Sequence, residues 1–270
     1  MQIRDQNVDP TSALARKVVR NRIGTATSQT DVPVLRFKPR HGFQALDVDV
    51  TATTVAGTVT VDVRLAAPTS LFSQSTMSKN AGTAEQFDLT AFRFMANGTY
   101  VIKAAATGRT FSAAHVVSAN KYGVILVQVD SAGTVTTKVP AATQAYDTSA
   151  MAVAALPAAD ANKVPVAYVI IANNAGAWTA NTDDLTNGSD LTTATFVSLP
   201  ITAKSILTGT ITPLALQRVS GTLTSTQADI RDRTGTKEIV AIYTSDGTGA
   251  LTNGEISIGY RPFPQHGEQY

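Results

Sequence analysis

Residues 123–129, Gly-Val-Ile-Leu-Val-Gln-Val, decide the fold class of this chain. The run is short, almost continuously apolar and rich in β-branched side chains, which favours a strand buried on both faces. Asp130-Ser131-Ala132-Gly133 has the composition of a turn, so Thr134 to Val139 is predicted to return as a neighbouring strand. Val164 to Ala172 is a second apolar run and predicts another buried strand.

Two segments nearer the N-terminus alternate apolar and polar residues with a period of two. Leu46, Val48 and Val50 alternate with Asp and Thr, and residues 58–65 repeat the pattern after a turn near Ala56-Gly57. This alternation is typical of strands with one solvated face. The two segments are therefore predicted to form an antiparallel hairpin.

Turn and cap signals place the remaining elements. Phe87 to Phe94 is predicted as one strand, and Asn97-Gly98 as a hairpin turn, because both turn residues tolerate positive φ. Asp147 or Thr148 is predicted to cap a brief Ala-rich helix. The last strands are predicted at 207–212, 221–224, 238–244 and 255–260.

The composition agrees with a strand-rich fold. Hydrophobic residues make up 43% and charged residues 16% of the chain, and Thr, a strand-forming residue, is prominent among the rest. We therefore predict a mainly β protein of antiparallel β-sandwich or jelly-roll-like modules, with a basic N-terminal arm and little helix. The predicted segments are the basic N-terminal arm (1–40), a β-hairpin and connecting region (41–82), a central β domain (83–200) with a polar stretch at 179–195, and a C-terminal β module and tail (201–270).

Several classes of protein are disfavoured by what the sequence lacks. It has no cysteine, which excludes disulfides, thiolate nucleophiles and Cys-ligated metals. The first residues have no apolar core of a signal peptide, and no apolar run approaches the roughly 20 residues of a membrane span. We expect a protein that is made in the cytoplasm and has no membrane partner.

The basic N-terminal arm carries most of the charge asymmetry. Residues 1–40 hold eight basic and three acidic side chains, whereas the remainder holds 14 basic and 17 acidic ones. Such an arm is typical of a segment that binds an acidic protein surface or nucleic acid, and a solvated leader is the other interpretation. Nucleic acid is not the expected partner, because no aromatic residue interrupts the basic cluster at 16–22.

Within this arm, residues 13–23 are predicted to form one short helix. Ser12 can cap its start, and Gly24 can end it in the left-handed conformation. A helix of this length is not stable alone, so it is expected to fold against a partner. The predicted docking residues are Arg16, Lys17, Val18, Val19, Arg20, Arg22 and Ile23.

No catalytic constellation is recognisable in the sequence. His41, His115 and His266 lack the spacing of a zinc site and are interpreted as structural or surface residues. The chain has no nucleophile elbow, no phosphate-binding Gly-rich loop and no dinucleotide fingerprint.

Paired carboxylates are the remaining candidates for chemistry. Asp47 and Asp49 lie on the polar side of a predicted strand and Asp183 and Asp184 in a polar loop, so both pairs are interpreted as structural. We therefore predict no enzyme, no cofactor and no metal, with a polysaccharide hydrolase as a minor alternative. A calcium site is the other alternative, although its spacing fits no EF-hand; its oxygen ligands would be Asn181, Asp183, Asp184, Asn187 and Asp190.

Three stretches of the chain resemble virion structural proteins of tailed bacteriophages. They are Tyr122 to Val135, Ala152 to Pro157 and Lys163 to Ala172, followed by Trp178 and Asp183-Asp184-Leu185. The resemblance spans roughly residues 87–196 and consists of a pattern of strand, turn and Leu-Pro. Similar sequences occur in head decoration, head-fibre and tail-associated proteins, and no binding residues carry over from them.

This resemblance implies a non-enzymatic capsid decoration (cement) subunit on the surface of the phage head, synthesised in the bacterial host. A homotrimer docked on the major capsid protein is implied, because its symmetry matches the three-fold positions of an icosahedral shell. The basic N-terminal arm would then lie along the shell and pair with carboxylates. The alternative is a head-fibre, neck or tail-associated protein with a receptor- or glycan-binding role.

Overall fold

The computed structural model describes residues 6–7, 17–27, 32–38, 43–51, 54–56, 59–186, 191–211, 216–221, 236–245 and 250–262. In these ranges the chain is mainly β, with several antiparallel sheets and one short helix, which confirms the predicted β class and the low helix content. The chain divides into two compact units. Unit 1 comprises residues 1–67 and 203–270, and unit 2 comprises residues 68–202.

This division differs from the four consecutive segments expected from the sequence. Unit 2 contains the whole predicted central domain, 83–200, and also residues 68–82. Unit 1 is discontinuous, because strands from the two ends of the chain pair with each other. Composition along a chain does not reveal such long-range pairing.

The strands are numbered in chain order. Those before residue 68 are β1 (Gln6–Asn7), β2 (Lys17–Thr27), β3 (Val32–Phe37), β4 (Phe43–Thr51), β5 (Thr54–Ala56) and β6 (Val59–Ala66). Those of unit 2 are β7 (Ser70–Leu71), β8 (Met77–Lys79), β9 (Phe87–Leu89), β10 (Phe92–Ala96), β11 (Thr99–Lys103), β12 (Ala106–Arg109), β13 (Val116–Val117), β14 (Tyr122–Val129), β15 (Val135–Lys138), β16 (Thr143–Gln144), β17 (Val164–Asn173), β18 (Trp178–Thr179) and β19 (Leu191–Ser198), with helix α1 (Ser149–Ala154) between β16 and β17. Those after residue 202 are β20 (Lys204–Ile211), β21 (Leu216–Gly221), β22 (Glu238–Ser245) and β23 (Ala250–Pro262).

Unit 1 has a six-stranded and a four-stranded sheet. The six-stranded sheet has the order β1-β2-β23-β4-β21, with β5 paired to β23, and the four-stranded sheet has the order β20-β6-β22-β3. Val61, Val63 and Leu65 of β6 are buried and the residues between them are only half-buried, as the period-two pattern predicts. Strand β22 lies between β6 and β3 and buries Ile239 to Tyr243.

The predicted hairpin between residues 46–50 and 58–65 is wrong. Strands β4 and β6 both form, but β4 pairs with β21 and β23, whereas β6 pairs with β20 and β22. Alternation of apolar and polar residues fixes which face of a strand is buried, and it does not choose the partner. The partners here come from the C-terminal part of the chain.

Unit 2 is built around a four-stranded antiparallel sheet with the order β15-β14-β17-β19, called here the central sheet. Residues 123–129 of β14 are all buried, which confirms the predicted buried strand. Three smaller sheets have the orders β11-β10-β7, β12-β9-β8 and β16-β13-β18, and β13 pairs with β16 in parallel. The two ends of unit 2 are joined: Thr202 Oγ1 accepts from Leu71 N–H at 2.7 Å, and Thr202 N–H donates to Leu71 O at 3.0 Å.

The predicted turns of unit 2 form as expected from their residues. Asn97 and Gly98 have φ of 48° and 72°, and they connect β10 and β11 as a two-residue hairpin with Ala96 opposite Thr99. Gly133 has φ of 79° in the turn between β14 and β15. These positive φ values explain why Asn and Gly occupy the turns.

Two further predictions in unit 2 have different outcomes. Thr148 caps α1, because its Oγ1 accepts from Met151 N–H at 3.2 Å, so the predicted helix and one of its two candidate caps are confirmed. The single strand predicted from Phe87 to Phe94 is wrong. It is divided into β9 and β10, which belong to different sheets.

Candidate functional site

The predicted docking residues lie mainly in strand β2. Arg16 is outside the described residues, and the other six, Lys17, Val18, Val19, Arg20, Arg22 and Ile23, lie within β2. This strand pairs antiparallel with β23, so that Lys17 is opposite Tyr260 and Arg22 is opposite Glu255. Strand β1 pairs with the other side of its first residues.

The helix predicted over residues 13–23 is therefore wrong over residues 17–23, and residues 13–16 lie outside the described residues. Val18, Val19 and Ile23 are β-branched, which restricts their rotamers in a helix and favours extended backbone. Pairing along most of the length of β23 adds long-range hydrogen bonds that the local cap signals at Ser12 and Gly24 do not offset. The role of these residues in docking stays a prediction.

The stretches that resemble phage virion proteins meet in one part of unit 2. Residues 122–135 form β14, the following turn and the start of β15, and residues 163–172 form most of β17. Strand β14 lies between β15 and β17, and α1 packs against both β14 and β17. Ala152 of α1 is fully buried. The three stretches thus lie in and beside adjoining elements of unit 2, whereas Asp183-Asp184-Leu185 lies in the segment after β18.

The first half of β14 is held by buried amide side chains. Gln144 Oε1 accepts from Val124 N–H at 2.8 Å, and Gln144 Nε2 donates to Val124 O at 3.1 Å. Asn173 Nδ2 donates to the carbonyls of Val117 and Gly176, at 2.8 and 2.7 Å. Both amides complete main-chain hydrogen bonding in the interior, which is a structural role.

The second half of β14 is connected to a charged cluster around Asp160. The Asp160 carboxylate accepts from Lys138 Nζ at 2.8 Å and from Gln128 Nε2 at 2.6 Å, and Lys163 Nζ lies 3.3 Å from it. The hydrogen bonds from Lys138 and Gln128 lower the pKa of Asp160 to about 2. Asp160 N–H also donates to Gln128 Oε1 at 2.8 Å. The cluster fixes the loop after α1 to the central sheet.

His115 is buried just before β13. Among the described residues its Nε2 has no hydrogen-bond partner, and burial lowers the pKa of the imidazole because the charged form would lose its hydration. The neutral form in the interior agrees with the interpretation of His115 as a structural residue. His41 and His266 lie outside the described residues.

The acidic pair Asp183 and Asp184 holds the segment after β18. Asp183 Oδ2 accepts from Thr179 N–H at 2.5 Å, and the Asp184 carbonyl accepts from Trp178 Nε1 at 3.1 Å. Trp178 is fully buried, so these bonds close the main chain over its ring. Asp47 and Asp49 lie in β4, opposite Ser220 and Arg218 of β21.

Of the considered calcium ligands, only Asn181, Asp183 and Asp184 belong to the described residues, and each of them makes a hydrogen bond within unit 2. The Asn181 amide exchanges hydrogen bonds with the main chain of Phe111, at 2.8 and 2.9 Å, and Asn187 and Asp190 lie outside the described residues. In the described ranges, no group of three or more His, Asp or Glu side chains is placed to hold a metal ion. No helix there is long and apolar enough to cross a membrane.

The two outer strands of the central sheet differ at their free edges. On β15, Thr137 N–H donates to Ser112 Oγ and Ser112 N–H donates to Thr137 Oγ1, both at 2.8 Å. The charged side chains of Lys138 and Lys163 flank this edge, and Lys163 Nζ donates to Thr136 Oγ1 at 3.1 Å. Strand β19, at the opposite edge, is Leu-Thr-Thr-Ala-Thr-Phe-Val-Ser and has no charged residue.

Comparison with known proteins adds no relative: the chain matches no family model, no curated protein and no solved structure. Its function is therefore inferred from its own residues, from their arrangement in the two units and from the resemblance of the stretches in and around the central sheet.

Proposed function

We propose that this protein is a non-enzymatic structural protein of a tailed-bacteriophage particle, namely a decoration (cement) subunit of the capsid surface. The observation that carries the proposal is that the stretches resembling phage virion proteins form one substructure, made of β14, β15, α1 and β17. Elements that pack against one another depend on one another, so a resemblance that lies mainly in such elements supports a shared architecture.

The proposal includes a β-sandwich of the jelly-roll kind in unit 1. Asn21 of β2, in the six-stranded sheet, donates through its side chain to the carbonyl of Val34 of β3, in the four-stranded sheet. Ile256 and Ile258 of β23 are buried, as is Val61 of β6. Two sheets that bury alternate residues and approach each other in this way are typical of sandwich packing.

The docking partner in this proposal is the major capsid protein, and the docking segment is the basic N-terminal arm. Its excess of basic over acidic side chains suits an acidic protein face. A homotrimer would present three such segments at once, and multivalent attachment makes a weak single contact effectively permanent. Because β2 and β3 belong to unit 1, deletion of the arm would remove folded strands as well as charge.

The test is co-sedimentation of the full chain with mature phage shells that lack it, with bound copies counted per shell. The double variant Arg16→Glu/Arg20→Glu is compared with the control Lys79→Glu/Lys103→Glu, which makes the same charge change in unit 2. We expect saturable binding at copy numbers comparable to the capsid lattice, weakened by added salt and by the arm variant but not by the control. No binding, or a few copies at one vertex, would contradict the proposal and favour a neck, tail or fibre role.

A further inference from the structure

The two outer strands of the central sheet, β15 and β19, differ in how far their outer edges are blocked by other parts of the chain. A strand edge presents unpaired N–H and C=O groups that attract other strands, and proteins block such edges with charges, proline or a covering segment. Strand β15 is blocked in two of these ways, by Ser112 and by the charge of Lys138. Strand β19 has no charged residue, and among the described residues only Gln74 bonds to its outer edge, through a long 3.4 Å hydrogen bond to Ser198 O, although at eight residues the strand is twice as long as the four-residue β15.

The main-chain groups of β19 that face away from β17 can be identified. Leu199 N–H donates to Val166 O of β17 at 2.9 Å, so odd-numbered residues of this strand direct their main chain toward β17. The even-numbered residues Ala194 and Phe196 therefore direct theirs outward, whereas at Thr192 a register shift against β17 interrupts the alternation. Within the described residues, these outward groups have no hydrogen-bond partner, and β8 packs near β19 without bonding to its main chain.

The side chains of β19 agree with an accessible edge. Ala194 and Phe196 pack against the core of unit 2, which fixes the inward face of the strand. Thr193 and Thr195 alternate with them and are exposed, and Thr192 is exposed as well. Within the described residues, the outer edge thus has free main-chain groups at Ala194 and Phe196, bordered by exposed, uncharged threonines.

We infer that β19 pairs with β19 of a second copy of this chain, antiparallel about a two-fold axis at Ala194. In this register Ala194 exchanges hydrogen bonds with Ala194 of the partner subunit, and Phe196 lies opposite Thr192 of the partner subunit. Thr193 then lies directly opposite Thr195 of the partner subunit. The outward main-chain groups of Ala194 thereby gain partners.

The absence of charge in β19 favours a second copy of this chain as its pairing partner. Two-fold pairing places each side chain near copies of its own neighbours, so a charged strand would repel itself, and like charges directly opposite destabilise a strand pair. Strand β19 has no charge, and cross-strand Thr–Thr pairs are favourable. Strand β15, at the other edge of the central sheet, contains Lys138, and strand β11, at the edge of the sheet β11-β10-β7, contains Lys103. Both strands therefore lack this self-complementarity.

The blocked β15 edge limits the size of the assembly. Pairing through β19 joins two central sheets into one continuous sheet whose two ends are both β15. Since β15 is covered at each end, strand pairing joins no more than two central sheets and does not extend into a fibre. This two-fold contact does not depend on the proposed capsid role, and it is separate from the three-fold contact of the proposed trimer.

The test compares the solution mass of the wild type with two double variants at the exposed positions. Thr193→Lys/Thr195→Lys places lysine opposite lysine across the axis, whereas Thr193→Lys/Thr195→Glu places lysine opposite glutamate. Light scattering after size exclusion is expected to give a wild-type particle of twice the mass of the Lys/Lys variant, with the Lys/Glu variant resembling the wild type. The Lys/Lys change should weaken pairing roughly tenfold or more.

Three results would overturn the inference: a wild-type mass equal to the 28.3 kDa chain at every concentration, a mass that the Lys/Lys variant does not lower, or equal dissociation of both double variants. Ala194→Pro provides an independent variant, because its outward N–H is not used within the chain and proline is tolerated on such an edge. It should halve the particle mass while circular dichroism stays unchanged. Thr195→Pro, by contrast, removes an N–H that faces β17 and should destabilise unit 2.

Discussion

Strand β14 is held in different ways at its two ends. At its first half, the main chain of Val124 is bonded to the buried amide of Gln144, and Gly123 packs tightly against Val117. At its second half, the Gln128 side chain bonds to Asp160, whose partly exposed carboxylate also pairs with Lys138. Buried polar groups lose their only partner when a side chain is removed, whereas exposed ones find water. The same strand should therefore be fragile at its first half and tolerant at its second.

The largest effect is expected for Gly123→Ala at the first half. A Cβ there would lie 2.4 Å from Cγ2 of Val117, a fully buried side chain with little room to move. We expect the free energy of unfolding to fall by about 3 kcal/mol, as for a severe overpacking change. Urea denaturation measures it, with Gly82→Ala as the control, because its Cβ would meet only a side-chain atom at 3.5 Å. Equal effects at the two glycines would contradict the comparison.

A somewhat smaller effect is expected for Gln144→Leu. The apolar side chain keeps much of the volume but leaves Val124 N–H and C=O buried without partners. Each such group costs about 1–3 kcal/mol, so a loss of about 2 kcal/mol or more is expected in the same urea experiment. Gln74→Leu is the matched control, since Gln74 is exposed and its one described bond, to Ser198 O, is long at 3.4 Å. A neutral result for Gln144→Leu would show that water replaces the amide.

The dry interior near β13 should also respond to mild acid through His115. Its pKa is lowered from 6.5 in the folded protein, so the unfolded chain takes up the proton first as pH falls. This contribution to stability is complete above pH 6.5, is lost progressively below it and levels off below the folded-state pKa. Urea midpoints from pH 8 to pH 5 should fall in the wild type and fall less in His115→Asn. His266→Asn serves as the control, and an identical pH dependence of all three proteins would refute the assignment.

The smallest effect at neutral pH is expected for Asp160→Asn at the second half of β14. The pKa of Asp160 is lowered from 3.8 to about 2, so its contribution is present above pH 3.8 and is lost as the pH falls through about 2. The wild type should lose stability in that window, and the variant should be less sensitive there. Thermal unfolding at pH 7 measures the effect of the substitution at neutral pH, and thermal unfolding at pH 2 to 4 measures the difference in acid sensitivity. Both are repeated with added salt. A large loss at pH 7 would show that the charged cluster stabilises the fold as strongly as the buried amides do.

Local features of unit 2 could be predicted because their causes are local. The apolar run of β14, the Asn97-Gly98 turn and the Thr148 cap each depend on residues within one short segment. Residues 191–195 of β19 belong to the stretch 179–195 that was predicted to be polar, because the Asn and Asp residues before them hide the strand pattern. Its signal was the β-branched series Thr192, Thr193, Thr195 and Val197, which hydropathy alone does not register.

Partner choice could not be predicted in the same way. Strand β2 was expected to be helical because Ser12 and Gly24 are good helix ends, and only its pairing with β23 decides otherwise. Strands β4 and β6 have the predicted alternation, yet their partners begin more than a hundred residues later in the chain. The role of the proposed docking residues cannot be predicted for a similar reason, because a binding surface is defined by its partner as well as by the chain itself.

The insertion of unit 2 into unit 1 has a consequence for the order of folding. Strands β6 and β20 can pair only when the chain between Leu65 and Lys204 closes into a loop. If unit 2 folds first, the bonds between Leu71 and Thr202 bring its ends together and reduce that loop to a few residues. Loop-closure entropy grows with the logarithm of length, so the prior folding of unit 2 lowers the barrier to assembling unit 1 by about 3 kcal/mol. If unit 2 folds first during synthesis, its joined ends shorten the loop that must close before the distant strands of unit 1 can pair.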